Sequence, residues 1–592
     1  MIGAWIALQF LWPLPGPITL TGSYGEVRGE LFHTGIDLGV GERLGTVPVL
    51  AAGKGYVSRI RVSHKGFGKV LYVSHPEGYT TVYGHLSHFA PRGEALVESL
   101  QTQAQRFEVE KYLKPGEWPV APGETLGWAG NSGYSFGPHL HFEVRTKDQK
   151  PLCPLLYLPP LRDTIPPVFL RLAVRALTPS SHIEGWGGLR LLSFFQLRCQ
   201  ASQRLYVCRE TLRVGGAIGL ECSAADRQAP TSAWLGLARL TLKDTKGLVL
   251  FQARWETLDF DWHRFLRWYR DYPFQQIYRV GLARLYELPP QATVPWTQGK
   301  GILLIPPDSL VTVVLEAQDF GGNTAQIRLT LRGDKPKESL APRRPLDPKS
   351  LWSIEDGLLL ANRPLRLPWG AIVRPETPLP LGGQLPDTLY DESGRGRPTY
   401  LRAYLRPGCR DTLTLSPECQ LYFFEGNIGD TLYFRAIPLE TPYGPGWLLG
   451  DPYVPLRFPA SLRWRVAGRP QAYPLLRPWN GGTWSPITEA RRYGDVWHIP
   501  FTTAGAYVMY EDTVPPTIRP LKRAGPFYLV AIQDLGSGVA AHTIQVRSEK
   551  RKLFPEYYEP QAILYLPVKE GRRFWIEASD RVGNRTQRLV HF

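Results

Sequence analysis

The sequence predicts a mainly β protein. Three observations carry that expectation: 58 glycines and 55 prolines punctuate 592 residues, aromatic residues make up 12%, and long stretches of helical periodicity are scarce. This mixture suits short strands joined by tight turns. The length exceeds what a single hydrophobic core can hold, so about three to five domains are expected.

The first segment, Met1-Ile2-Gly3-Ala4-Trp5-Ile6-Ala7-Leu8-Gln9-Phe10-Leu11-Trp12, is apolar but short. It lacks a basic lead and a small-residue cleavage site, so it reads as a weak export signal, a chain start placed too late, or simply a first strand. No stretch reaches the roughly 18 apolar residues of a membrane-spanning helix. Residues 20–150 then alternate strand-like runs (56–63, 69–75 and 80–86) with glycine turns, and Gly66-Phe67-Gly68 closes a hairpin. The one helical candidate of this part covers 95–109.

The remainder contains an internal echo. Asp163-Thr164-Ile165-Pro166-Pro167 recurs as Asp512-Thr513-Val514-Pro515-Pro516, and Ala317-Gln318-Asp319-Phe320-Gly321-Gly322-Asn323 recurs as Ala578-Ser579-Asp580-Arg581-Val582-Gly583-Asn584. Each pair brackets a unit, with a Pro-Pro start suited to an edge strand and an Asp…Gly-Asn turn before the last strand. Ala325, Ile327, Leu329 and Leu331 alternate with polar residues as in a half-buried strand. The expected layout is a first domain over 1–160, an enlarged immunoglobulin-like sandwich over 163–332, a Pro- and Lys/Arg-rich linker over 333–350, a β-rich segment over 351–511 without a chemical motif, and a second immunoglobulin-like sandwich over 512–592. Trp262, Phe265, Leu266 and Tyr269 fall at helical spacing and read as a core-facing stripe rather than a sugar-stacking platform.

The net charge is +16, unevenly placed: residues 1–160 hold 14 Lys+Arg against 13 Asp+Glu, which leaves 55 against 40 for the rest. The tail is basic, but its cations are scattered among Pro, Leu and Tyr rather than clustered. That pattern argues against nucleic acid and fits an anionic envelope polymer, or solubility alone. The six cysteines match no zinc-knuckle or redox spacing. Cys409 and Cys419 flank a hairpin over 410–418, either as a disulfide or as free thiols.

Chemistry concentrates near the N-terminus, where seven of the twelve histidines lie between residues 33 and 141. His33 and Asp37 are four apart and share a face in either regular conformation. His139 and His141 are two apart in a strand-like His-Leu-His-Phe-Glu-Val-Arg run, so both point the same way. These four groups can converge on one cleft and hold a divalent metal with an open position for water, and a further histidine, His85 of Tyr83-Gly84-His85-Leu86, falls between the two motifs. Glu143 shares the face of His141 in a continuous strand and reads as a surface carboxylate rather than as a group that braces a ligand. His64, His75 and His88 read as structural. His182, His263, His498, His542 and His591 stand singly.

The order His33-x-x-x-Asp37, then Tyr83-Gly84-His85-Leu86, then Gly130-Asn131-Ser132-Gly133…Gly137-Pro138-His139-Leu140-His141-Phe142-Glu143 resembles the LytM/lysostaphin-type zinc metallopeptidases over residues 20–147. The resemblance implies a small antiparallel β domain with a narrow groove that cuts peptide bonds in peptidoglycan, in a secreted or periplasmic protein of the cell envelope. It implies that His33, Asp37 and His141 bind Zn2+, and that His139 and His85 are catalytic. The departures are a long insertion over 87–119 and a short N-terminal lead. Two alternatives are carried forward. One is a non-catalytic or autoinhibited envelope scaffold that activates other wall hydrolases, with the insertion covering the groove. The other is a non-haem iron site, which the four-residue His–Asp spacing disfavours.

Overall fold

The computed structural model describes residues 10–592, apart from 30, 162, 179, 201, 229–232, 288–294, 337–349, 356–357, 376, 429–430, 453 and 480. Most of the N-terminal apolar segment and of the 333–350 linker thus lie outside the described residues. Strands hold 50% of the residues and helices 7%, so the protein is mainly β.

The N-terminal part is built on a nine-stranded sheet. Its main strands are β1 (Leu20–Gly22), β2 (Ile36–Gly39), β3 (Gly55–Val62), β4 (Lys69–Ser74), β5 (Thr80–Gly84), β6 (Val109–Tyr112) and β7 (His139–Arg145), in the spatial order β1-β2-β7-β5-β4-β3-β6. All these neighbours pair antiparallel. The long-range strand β7 inserts between β2 and β5, and this insertion brings the two histidine motifs together. The hairpin expected at Gly66-Phe67-Gly68 joins β3 to β4, with both glycines at positive φ.

The 87–119 insertion contributes a helix, α1 (Pro91–Ala104), and the edge strand β6. The helix starts earlier than the expected 95, because Pro91 takes the first turn, where its missing N–H costs nothing. Glu94 accepts the Phe89 N–H at 2.7 Å, and Gln105 ends the helix in the left-handed region. Val109 belongs to β6 instead. Since β6 pairs with β3 at the far edge of the sheet, the insertion extends the edge opposite β2 and β7.

In the tail, residues 163–332 form a five-stranded and a nine-stranded sheet, centred on Val168–Ala176 and Ala217–Ala225 in one and Arg239–Asp244, Leu310–Gln318 and Thr324–Asp334 in the other. Ala325, Ile327, Leu329 and Leu331 are buried, as their alternation predicts. Residues 512–592 form two four-stranded antiparallel sheets around Ile518, Val530, Leu564, Phe574 and Ile576. Residues 351–511 hold two hydrophobic cores, one around Leu359, Leu365 and Val373 and one around Leu421, Phe434 and Leu462. Cys409 and Cys419 are free thiols, and the hairpin lies further on than the expected 410–418: its strands are Asp411–Ser416 and Cys419–Phe423, so Cys419 opens the second strand instead of flanking the hairpin. Phe265, Leu266 and Tyr269 are buried and Trp262 packs on Trp296, so the stripe is core.

The echo has a structural meaning. The Asn323 side-chain amide donates to the Asp163 carbonyl (3.3 Å) and to Asp319 (2.9 Å), while Asn584 donates to the Asp512 carbonyl (2.8 Å) and to Asp580 (2.7 Å). In both copies the turn thus latches the start of the unit to its last strand.

One buried cluster runs without a break from Phe10 to Leu331, so the N-terminal sheet and the first tail unit share their packing. Phe32, next to His33, sets its ring edge-on to Trp296 at 4.7 Å, and its N–H donates to His263 at 3.0 Å.

Candidate metal centre

The register of the sheet assembles the site. His141 on β7 stands directly opposite Asp37 on one side and Gly84 on the other, which places His85 one residue beyond. His85 itself has φ of 59°, a conformation rare for a β-carbon-bearing residue, at the break between β5 and the strand Leu86–Phe89. His33 arrives from the hairpin before β2. Gly35 is needed there, because a β-carbon would strike the Phe142 carbonyl and lie 2.9 Å from the His141 ring.

His33 Nε2, His141 Nδ1 and Asp37 Oδ1 lie 3.0 Å from one another. The protons of both rings are committed elsewhere. His33 Nδ1–H donates to the Ser23 carbonyl (2.7 Å), and His141 Nε2–H donates to Glu143 Oε1 (3.0 Å). Three lone pairs therefore face one another, and only a cation or an additional proton reconciles them. Tetrahedral zinc with ligands at about 2.0–2.1 Å separates ligand atoms by about 3.3 Å, so the triangle fits such an ion with little adjustment.

The electrostatics agree. Burial would lower the His141 pKa, but hydrogen bonds to Asp37 and Glu143 outweigh it and bring the ring to about 9 in the metal-free protein. Burial would raise Asp37, yet the imidazoles packed around it, His33 first and then His139 and His141, hold it well below the usual carboxylate range. Glu143 is fully buried; the neighbouring Arg145 and His141 overcome that burial and keep it at about 2. Its carboxylate accepts Thr34 Oγ1–H and Arg145 Nε–H, each at 2.5 Å, besides His141. The surface reading of Glu143 is thus corrected: it is an internal hub that no local pattern could distinguish from a solvent-facing residue.

His139 and His85 flank the triangle, with ring centroids 4.9 Å apart. His139 Nδ1–H donates to the Gly137 carbonyl (2.7 Å), and Nε2 lies 3.3 Å from Asp37 Oδ1. His85 Nδ1–H donates to the Ser132 carbonyl (2.7 Å). Each ring therefore keeps Nε2 as its unprotonated nitrogen. Burial, followed by repulsion from His139 and His141, lowers His85 to about 3. All five residues singled out in the sequence are thus gathered around one point, while His64, His75 and His88 are engaged in stacking or in hydrogen bonds elsewhere. Residues that the sequence did not single out are Arg28, whose guanidinium lies 2.7 Å from Asp37, Phe67, which stacks on His141, and Ser23 and His263, which brace His33 and Phe32. Their signals are lone residues far apart in the chain.

Residues 31–106 match the family model Peptidase family M23, a stretch that includes His33, Asp37 and His85. Among curated proteins, the chain is similar to an uncharacterized metalloprotease of Haemophilus influenzae, 34% identical over 111 residues, covering 19% of this chain and 18% of that protein. It is also similar to the DD-carboxypeptidase/endopeptidase Mpg of Neisseria meningitidis serogroup B, 32% identical over 117 residues, covering 20% of this chain and 21% of that protein. The matches thus span about a fifth of these relatives. Among solved structures, the catalytic domain of the prophage-encoded M23 protein EnpA from Enterococcus faecalis is 27% identical, with a TM-score of 0.18, 24% of this chain and 91% of that chain covered. The catalytic domain of lysostaphin from Staphylococcus simulans is 25% identical, with a TM-score of 0.17, 23% of this chain and 86% of that chain covered. By the family match and by its relatives, this chain carries a Peptidase family M23 domain.

Proposed function

We propose that the chain is a zinc metalloendopeptidase that hydrolyses peptide bonds in peptidoglycan, in cross-links or stem peptides. The observation that carries this reading is the triangle of His33 Nε2, Asp37 Oδ1 and His141 Nδ1, flanked by two further imidazoles that each keep an unprotonated Nε2. A zinc ion held by these three residues would supply a Lewis acid and an acidified water. His139 and His85 are the catalytic pair. Either Nε2 can take a proton from water at the site and, once protonated, face the developing oxyanion. Tyr134 and Phe136 stand exposed on the loop before His139, edge to face at 5.3 Å, and form a lip against which a substrate peptide can lie.

Within this reading, residues 1–160 are the peptidase unit, and the immunoglobulin-like units 163–332 and 512–592 and the β-rich unit 351–511, reached through the 333–350 linker, position it on the wall. The basic tail suits anionic envelope polymers, and the setting is the cell envelope, periplasmic or secreted. No helix among the described residues is long and apolar enough to cross a membrane.

The test is a digest of isolated sacculi by purified full-length protein, with product masses and metal content measured on the same sample. Zinc-dependent release of peptides that EDTA stops and zinc restores is the expected result. Zinc-replete protein that releases nothing ends the proposal.

One observation favours a second reading, an autoinhibited or non-catalytic wall protein. The C-terminal unit reaches the N-terminal sheet, where the Tyr558 hydroxyl donates to the Ser135 carbonyl on the loop before His139 and Lys69 pairs with Glu556 at 2.8 Å. In that case, isolated sacculi stay intact until a partner displaces this contact.

A further inference from the structure

A second group of potential ligands lies outside the peptidase centre. Asp163, Asp226 and Asp319 each offer one carboxylate oxygen within 4.8 Å of the others. They come from the Pro-Pro start of the first tail unit, from the residue just after the strand Ala217–Ala225, and from the Asp…Gly-Asn turn before the last strand. Asp226 and Asp319 are 4% and 2% exposed. Among the described residues, no Lys or Arg forms an ion pair with any of the three.

The decisive atom is Asp226 Oδ1, which is buried and has no hydrogen-bond partner. An orphaned carboxylate oxygen beside two further carboxylates is costly unless a cation or a proton answers it. Asp226 is also held in place, because its backbone exchanges two hydrogen bonds of 2.9 Å with Leu235. The group opens on a cavity of about 220 Å³, whose walls include Asp163, Asp226, buried Gln228, Gly236, Phe320 and, from the N-terminal sheet, Ser23. The corresponding group of the second copy, Asp512, Asp534 and Asp580, differs. There Asp534 accepts the N–H groups of Gly536 and Gly538, and Asp512 accepts that of Ser537 besides that of Val514, the counterpart of the Ile165 N–H that Asp163 accepts.

We infer that Asp163, Asp226 and Asp319 form a binding site for a hard divalent cation of the calcium class. The donors are all oxygens, as such an ion requires. Oxygens within 4.8 Å of one another can share an ion at about 2.4 Å from each. The ion would tie together three segments of the first tail unit at its junction with the peptidase sheet. Ser23 is the link across that junction: its hydroxyl accepts the Gly236 N–H (2.6 Å) and its carbonyl accepts His33 Nδ1–H (2.7 Å). The site is thus two short contacts away from the peptidase centre, yet shares no ligand with it.

The test uses the zinc-loaded full chain at equilibrium with millimolar CaCl2, with bound calcium and zinc counted on the same sample and thermal unfolding followed with and without calcium. Asp226→Asn is expected to bind one calcium fewer than the wild type at unchanged zinc content, and to lose the calcium-dependent rise in unfolding temperature that the wild type shows. A wild type without bound calcium overturns the inference, as does an Asp226→Asn protein with the wild-type calcium count. Should Asp226→Asn not fold, Asp319→Asn carries the same comparison, and the wild-type count decides without any variant.

Discussion

Arg28 Nη1 lies 2.7 Å from Asp37 Oδ2, the carboxylate oxygen that does not belong to the triangle. Oδ1 alone faces His33, His139 and His141. Arg28 is oriented in turn by Glu26, at 3.0 and 2.7 Å. Gly22 makes the approach feasible, since a β-carbon there would collide with the guanidinium. The arginine therefore holds Oδ2 of Asp37 and leaves Oδ1 pointing at the metal position.

Arg28→Ala is expected to lower zinc affinity about 10- to 100-fold, the usual effect of losing a group that orients a ligand. Because the side chain is 45% exposed, the unfolding midpoint should change little. A competition titration against a chromophoric chelator measures the first quantity and a denaturant melt the second. An unchanged zinc affinity would remove Arg28 from the site.

Glu143 presents the opposite balance. It is fully buried and accepts from His141, Thr34 and Arg145, the last itself only 6% exposed. Glu143→Ala leaves a buried guanidinium without its carboxylate, which costs about 3–5 kcal/mol. It also frees His141 to turn. Loss of stability and loss of zinc are therefore expected together, in contrast to Arg28→Ala, and the same two measurements separate the variants.

The candidate groups are legible in the sequence because they come in local pairs, His33 and Asp37 four positions apart and His139 and His141 two, whereas the choice of three ligands among them comes from the family resemblance. A strand or a turn fixes each pair without any tertiary knowledge. What the sequence hid is the β2–β7–β5 pairing and everything that depends on it. The burial of Glu143 follows only from β7 being an internal strand. Arg28, Ser23 and His263 act through contacts that no periodicity records, the last across 231 residues. The helix runs from Pro91 to Ala104 rather than over the expected 95–109, since proline is accepted in a first helical turn. The Asp…Asn echo was visible, but its amide latch and the convergence of three aspartates required the fold.

The two imidazole pairs should respond differently to truncation. His33→Ala removes a vertex of the triangle and is expected to abolish zinc retention together with activity. His139→Ala and His85→Ala leave the three vertices in place. They should keep zinc and lose turnover by about 10²- to 10⁴-fold, the range for removal of a positioned acid or base. Zinc counted by mass spectrometry and initial rates on a defined wall peptide check both. A metal-free His139→Ala protein would contradict the division of roles.

Tyr558 is where the C-terminal unit bears on the loop before His139. Its hydroxyl donates to the Ser135 carbonyl, while Ser135 Oγ contacts Asn131 (2.7 Å) and stands 3.3 Å from His139 Nδ1. Removing the hydroxyl with Tyr558→Phe deletes one hydrogen bond and leaves the buried ring in place, a local cost of about 1 kcal/mol. That cost should appear as loop opening rather than global unfolding, because the core of the C-terminal unit does not include the hydroxyl. Amide exchange over 132–137 is expected to quicken about fivefold, with the thermal midpoint nearly unchanged. The activity change then separates the two readings of the contact. If it props the loop in a working position, the variant digests wall peptides more slowly. If it holds the groove shut, the variant digests them faster, and rates measured on the same preparation as the exchange decide between the two.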